Sequence, residues 1–599
     1  MRRVEGLWAS KPVPLSIILL LATAVHLPLL LMGVPLNSYD TNFHIFFSSH
    51  YAEHWFAPWN PKWYAGFSQM TYPPLPHQVI ALLSHVTGLD LAYMLVQFLG
   101  ILLLAIGVYR FAQLWVDRRA ASLAALAAVL LASESFLVYA AGQLSTTFAA
   151  PLYLNALPYI YEWLRYGRGR SLLKGSSLAV AAAAAHHATL IFGSFLFALP
   201  VFALAIVDSR RDAAESDSAQ GEEASPVRGV VVRGVVVSLL AGAAIAIVLL
   251  PFWIALIHNP VTQVPIPHPS RANYILSPHW GINYFVVPYG ALILALPFIF
   301  MRGCSTPRLR PLFFGFWLAF LLGLGSTTPL GRLVLGRAFE VVTMERFTYW
   351  ATLLALPMAG LLAKELLDRF GMKAAVTMGA LMCLSCAGAL AWATYRPADA
   401  VNFKVDSVAA WLNRDGHDKY RYVTLGFGNK IARLAVLTDA SSVDGEWNSG
   451  RTLPELTANG AGALTSSKYF GQSGIDALSA ILHHADHYGL KWVFLHDPYY
   501  EPLLVFAGWR KVDDLEDRTI TVWSKEGVPP ATPVNSAQMP PHWQGTMWGI
   551  LPIGSGILAL LVIFIPEESR HQLSIAGSYT GSLADTVPEK RFAVQGAAR

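Results

Sequence analysis

Long apolar runs broken by short polar turns recur along most of the chain. Runs of spanning length fall near residues 14–33, 90–109, 120–140, 146–164, 172–187, 188–207, 235–257, 284–300, 311–326, 347–363, 374–394 and 547–565. Each approaches the roughly 20 residues that an α-helix needs to cross the hydrocarbon layer. The stretch 172–207 holds two short spans only if it turns near His186 and His187, which brings the count to twelve. The pattern changes over 396–545, where short strand-like pieces (YRYVTLGF, KWVFLH, TITVW) alternate with helical ones (DSVAAWLNRDG, GIDALSAILHHADHYG). Such alternation predicts a small α/β domain. The architecture expected is a polytopic α-helical membrane protein with a C-terminal extracytoplasmic α/β domain. Its parts are a multi-span domain over 1–395 with an outer loop at 34–77, the α/β domain at 396–545, a final transmembrane helix at 546–566 and a disordered cytoplasmic tail at 567–599.

Composition agrees with this pattern and removes several other classes. The 599 residues are 54% hydrophobic and only 14% charged, with a mean hydropathy of +0.44, too apolar for a soluble protein. Three cysteines, Cys304, Cys383 and Cys386, lie in or beside apolar runs and give neither a disulfide framework nor a zinc set. The net charge of +5 is modest, and no basic patch suggests a nucleic-acid partner. Basic residues follow topology instead. With the N-terminus cytoplasmic, 24 lysines and arginines fall on inner segments against 5 in the short outer loops, as the positive-inside rule requires. Both termini are then expected in the cytoplasm, with the first run a retained anchor in the plasma membrane and residues 209–228 a polar, low-complexity linker.

Candidate chemistry gathers on the outer side. The first run is followed at once by GVPLNSYDTNFHIFFSSHYAEHWFAPWNPKW, residues 33–63, in which Asp40 and His44 stand one turn apart if 40–55 form an amphipathic helix. A carboxylate there can take a proton from an acceptor hydroxyl, ligate a divalent cation, or simply cap the helix. Trp59, Trp63 and Tyr72 fit either an interfacial aromatic belt or a platform on which a sugar stacks. Glu134 in LASESF, His186 and His187 in AAAAAHHATL, and Arg346 in MERFTYW also fall at outer ends of spans. Each has a structural alternative: a helix-packing hydrogen bond for Glu134, packed imidazoles for the histidines, and a Glu345–Arg346 pair for the arginine. Walker A, GxSxG and HExxH patterns do not occur in the sequence.

An Asp just after the first span, an aromatic outer loop containing PWNPKWYAGF, and then YPPL opening the next helix resemble the GT-C superfamily of polyprenol-phosphate-sugar-dependent membrane glycosyltransferases. The texture is most similar to bacterial membrane proteins labelled as related to 6-pyruvoyl-tetrahydropterin synthase. The resemblance implies Asp40 as the loop-one catalytic base, with His44 beside it and Glu134 as a candidate second acid. It implies Arg346, with His186 and His187, as the group holding the donor phosphate, and Trp59, Trp63 and Tyr72 as substrate-stacking residues. Where some relatives carry two adjacent acids this chain has YDTNFH, so a bound Mg or Mn ion stays open and no other cofactor is implied. The function expected is inverting transfer of a sugar from a polyprenyl-phosphate lipid to an extracytoplasmic glycan, lipid or protein acceptor. A flippase for a lipid-linked glycan and a non-catalytic subunit of polysaccharide assembly are the alternatives.

Overall fold

Each of the twelve apolar runs falls on a helix of the computed structural model, which describes residues 11–216, 226–258, 268–395, 403–458, 462–534 and 538–566. The helices are Leu15–Leu31, Leu89–Ala112, Arg118–Ala141, Leu144–Tyr166, Gly169–Ala185, His187–Ser216, Pro226–Val248, Pro278–Ser305, Arg310–Gly323, Glu345–Phe370, Met372–Tyr395 and His542–Ile563. Among the described residues, eight helices are long and apolar enough to cross a membrane, and Leu15–Leu31 and Arg310–Gly323 are shorter apolar ones. Leu144–Tyr166 and Gly169–Ala185 carry more polar and small residues, which matches their place among other helices: Leu178–Ala185 are buried without a break. The ends of the expected linker are helical, through Ser216 and from Pro226. Residues 217–225 and the tail 567–599 lie outside the described residues.

Small residues let these helices touch closely. A Cβ on Gly360 would meet the Ala120 carbonyl oxygen at 2.2 Å, and one on Gly315 would meet that of Leu196 at the same distance, the small-residue packing on which helix association in lipid depends.

Two departures from straight helices matter for the outer side. His186 is a single extended residue (φ −163°, ψ 99°) between Gly169–Ala185 and His187–Gly193. Helix Arg118–Val129 is capped by Asp117, whose carboxylate accepts from the Arg119 and Ala120 N–H groups. The chain then breaks at Leu130–Leu131 and ends in a π-helical turn over Phe136–Ala141. Gly142, at φ +70°, stops that turn, and a Cβ there would lie 2.4 Å from Ser38 Oγ and 2.7 Å from the Thr41 nitrogen, so only glycine fits.

The outer loop does not form an amphipathic surface helix. Thr41–Glu53 is helical, but Thr41 through Tyr51 are buried on every side. It is followed by a two-residue hairpin, β1 (Trp59–Asn60) with β2 (Phe67–Ser68), and by helix Leu75–Thr87, which Gly88 at φ +80° separates from Leu89–Ala112. YPPL thus opens a helix of its own, not the second span. The C-terminal unit holds a four-stranded sheet of β3 (Arg421–Leu425), β4 (Leu490–Leu495), β5 (Arg510–Leu515) and β6 (Ile520–Ser524), in the order β3-β4-β6-β5. β3 and β4 are parallel, and the other pairs are antiparallel. Loop and sheet share one core, in which Phe43, Phe46, Phe47, Trp63, Tyr64 and Phe67 pack with Val423, Leu425, Ala432 and Val493.

Candidate functional site

The π-turn places Asp40. Its last two carbonyls, of Ala140 and Ala141, accept the backbone N–H groups of Tyr39 (3.1 Å) and Asp40 (2.9 Å). From the opposite side Asn429, itself buried, donates to the carbonyls of Ser38 (3.1 Å) and Tyr39 (2.9 Å). Asp40 occupies the cap position of helix Thr41–Glu53, yet its carboxylate accepts nothing from the first turn. Burial raises its pKa from the ordinary 3.8 to about 7; the Arg346 charge pulls it down and the Glu345 charge pushes it up.

Arg346 reaches the same place from far along the chain. Two residues beyond Ala141, Gln143 accepts from Arg346 Nε (3.1 Å) and donates to Glu345 Oε1 (2.7 Å). Neither the Arg346 terminal nitrogens nor the Asp40 carboxylate has a hydrogen-bond or ion-pair partner among the described residues. Both side chains are partly open to solvent. The charge of Arg346 is felt by Asp40, His44, Tyr72, His186, His187 and His268, so residues from four separate segments surround one guanidinium.

The remaining sequence candidates divide. His44 shares a hydrogen bond with His77 (Nδ1 to Nε2, 2.9 Å) and not with Asp40. Burial holds His44 well below the ordinary imidazole pKa and His77 at about 3, so both stay neutral. Tyr72 stands with its hydroxyl beside Ser145, in the field of Asp40 and Arg346. His186 bonds Thr189 (2.8 Å), while His187 stacks near Phe252 with Nδ1 unpartnered.

Three assignments change. Trp63 is 0% exposed, stacks on Phe46 at 4.0 Å and lies against Gly445, so it is core and offers no face to a sugar. Trp59 lies flat over Gly66, whose φ of +119° and missing side chain make room for it; it closes the hairpin. Glu134 is buried beside Tyr349 without an aligned hydrogen bond, while Ser133 bonds Thr352 and Ser135 meets Cys386. It touches neither Asp40 nor Arg346, because the π-turn between them separates the two levels. The second acid beside Asp40 is Glu345, which sequence reasoning read only as an ion-pair partner of Arg346. Gln143, His77, His268 and Asn429 were missed too; the one available signal was a polar residue next to glycine or proline.

A divalent cation finds no donor set. Among the described residues no three His, Cys, Asp or Glu side chains converge to hold a metal ion. His483, bonded to the Ser479 carbonyl, and His484, beside Glu455, are surface residues of the α/β unit.

No family model and no curated protein sequence matches the chain. Among solved structures it is similar to ArnT from Cupriavidus metallidurans in the apo state, with a TM-score of 0.52 and 11% identity over 84% of this chain and 97% of that one. It is also similar to the oligosaccharyltransferase of Archaeoglobus fulgidus in the apo form, with a TM-score of 0.51 and 13% identity over 82% and 70%. The fold is the one shared by these two structures. A third structure, the arabinofuranosyltransferase AftD from Mycobacteria (TM-score 0.49, 15% identity), is matched over 89% of this chain but 40% of its own, so the chain spans about two-fifths of that protein's length. The chain's eight helices long and apolar enough to cross a membrane, among the described residues, support an integral membrane protein.

Proposed function

We propose that the chain moves a sugar from a polyprenyl-phosphate lipid to an acceptor on the extracytoplasmic side, with inversion at the anomeric carbon. One observation supports this above all others: the Arg346 terminal nitrogens and the Asp40 carboxylate, without protein partners among the described residues, are held at the two ends of a single turn, Ala141 to Gln143. Structural charges are normally paired; an unpaired couple kept apart by hydrogen bonds to its surroundings is suited to a ligand with an anionic end and a protic end.

In this reading the Arg346 terminal nitrogens take two oxygens of the donor phosphate in a bidentate grip. The acceptor hydroxyl oxygen attacks the anomeric carbon, the bond from that carbon to the phosphate oxygen breaks, and the electron pair leaves with the lipid phosphate. The hydroxyl proton passes to the Asp40 carboxylate, whose pKa of about 7 suits a base working near neutrality. Arg346 compensates the charge that grows on the departing phosphate, and the fold supplies position. His186 and His187 line the phosphate end, and neutral His44 with His77 lines the base end. Both termini would face the cytoplasm and the α/β domain would lie outside, where it braces Asp40 through Asn429 and presents the acceptor.

The test is transfer by the full chain in nanodiscs from labelled polyprenyl-phosphate sugars to cell-envelope acceptors. Asp40→Asn should abolish transfer and keep donor binding, whereas Arg346→Ala should lose donor binding. Retained turnover in the first variant removes the mechanism.

A further inference from the structure

Gln143 stands between a donor-only and an acceptor-only group, and that fixes what its amide can do. Arginine has no acceptor and an ionised carboxylate has no donor. Gln143 must therefore give its oxygen to Arg346 Nε and its nitrogen to Glu345; the reversed amide would break both bonds. Its own position is set firmly. The backbone N–H reaches the Leu137 carbonyl at 3.0 Å, and its carbonyl accepts from the Thr146 and Thr147 N–H groups, both at 3.1 Å. The side chain is buried, and so is Glu345, whose other oxygen has no partner.

The consequence falls on Arg346. A free arginine side chain samples many rotamers and loses them on binding an anion. Here the inner nitrogen is already tied, so the planar guanidinium keeps its far edge, the two terminal nitrogens, for an incoming group. A lysine at 346 would have no inner nitrogen for Gln143 to hold. We infer that Gln143, oriented by Glu345, is a positioning residue that pre-sets the Arg346 fork for a phosphate-bearing lipid. This rests on the phosphate role proposed for Arg346.

The experiment is titration of full-length protein in nanodiscs with undecaprenyl phosphate, using Gln143→Met, Arg346→Lys, their combination and Arg346→Ala, with thermal unfolding to establish that each is folded. Gln143→Asn, one methylene too short to span both partners, stands in if the methionine variant fails to fold. Losing a hydrogen bond to a charged group weakens binding about tenfold or more, and that loss is expected for each of the first two single variants. The double variant should bind no worse than either single one, because the lysine cannot use the glutamine and the untethered arginine no longer presents its fork. A merely structural glutamine would give losses that multiply, and multiplied losses overturn the inference. So does Gln143→Met binding as the wild type does while Arg346→Ala does not, a result that leaves the phosphate role standing. Equal binding by wild type and Arg346→Ala overturns the phosphate role and the inference together.

Discussion

Asparagine at position 40 distinguishes a working carboxylate from a cap. Asparagine caps a helix about as well as aspartate, so if Asp40 served only helix Thr41–Glu53, Asp40→Asn would leave stability unchanged at every pH. The carboxylate, however, accepts no bond from that helix, and burial lifts its pKa from 3.8 to about 7. At 1.36 kcal/mol per pH unit the rise corresponds to about 4 kcal/mol of cost for the ionised form; partial solvent access lowers the realised figure to about 1–2 kcal/mol. The sign follows from linkage. A carboxyl whose folded pKa is raised contributes nothing unfavourable below its unfolded value of 3.8, and its cost grows as pH climbs to about 7 and then levels off. Asp40→Asn carries no such cost, so it should match the wild type near pH 4 and exceed it by about 1–2 °C in melting temperature at pH 8. Tryptophan-fluorescence melting of both proteins between pH 4.5 and 8.5, run beside the transfer assay, reads this directly. A variant equal to or less stable than the wild type at pH 8, or one that still transfers sugar, refutes the account of Asp40.

Transfer by the wild type should climb about tenfold per pH unit below 7 and flatten above it; since the Glu345 charge helps to raise the Asp40 pKa, Glu345→Gln should move the bend of that profile to lower pH. Arg346→Ala should weaken donor binding more than Arg346→Lys, and equal affinity across wild type and both variants would count against a phosphate grip. Asn429→Ala removes two hydrogen bonds to the segment before Asp40, worth about 1 kcal/mol each, and should slow transfer roughly tenfold with donor affinity intact; unchanged kcat would show that the α/β domain does not steady the base. Glu134→Gln should keep transfer within about twofold, because its side chain meets Tyr349 and not the Asp40–Arg346 site; loss of turnover with normal melting would restore Glu134 as a working acid.

The resemblance that singled out Asp40 and Arg346 rested on local order: an acid after the first span, then YPPL, then an arginine at the mouth of a late one. His77 follows YPPL by two residues, but nothing local says that an imidazole just past those prolines will meet His44 and leave Asp40 alone. Trp63 was misjudged for a similar reason. An aromatic residue in an outer loop has the same sequence signature whether it faces lipid, sugar or a domain some 380 positions away, and Gly445 against its ring decides the matter. Gln143 and Glu345 looked like ordinary polar residues at span ends, since their meaning depends on each other.

Hydrophobic length acts locally, so the sequence by itself determined where the apolar helices run and the presence of an α/β unit between the last two of them. Convergence is not additive. Whether the carbonyls of a π-turn face Asp40, whether Gln143 reaches Glu345 and Arg346, and whether Asn429 grips Ser38 and Tyr39 depend on how helices far apart in sequence pack side by side. Only the tertiary structure decided those contacts, because a bond between residues hundreds of positions apart leaves no periodicity, and it is these bonds that leave the Asp40 carboxylate and the Arg346 terminal nitrogens without protein partners among the described residues.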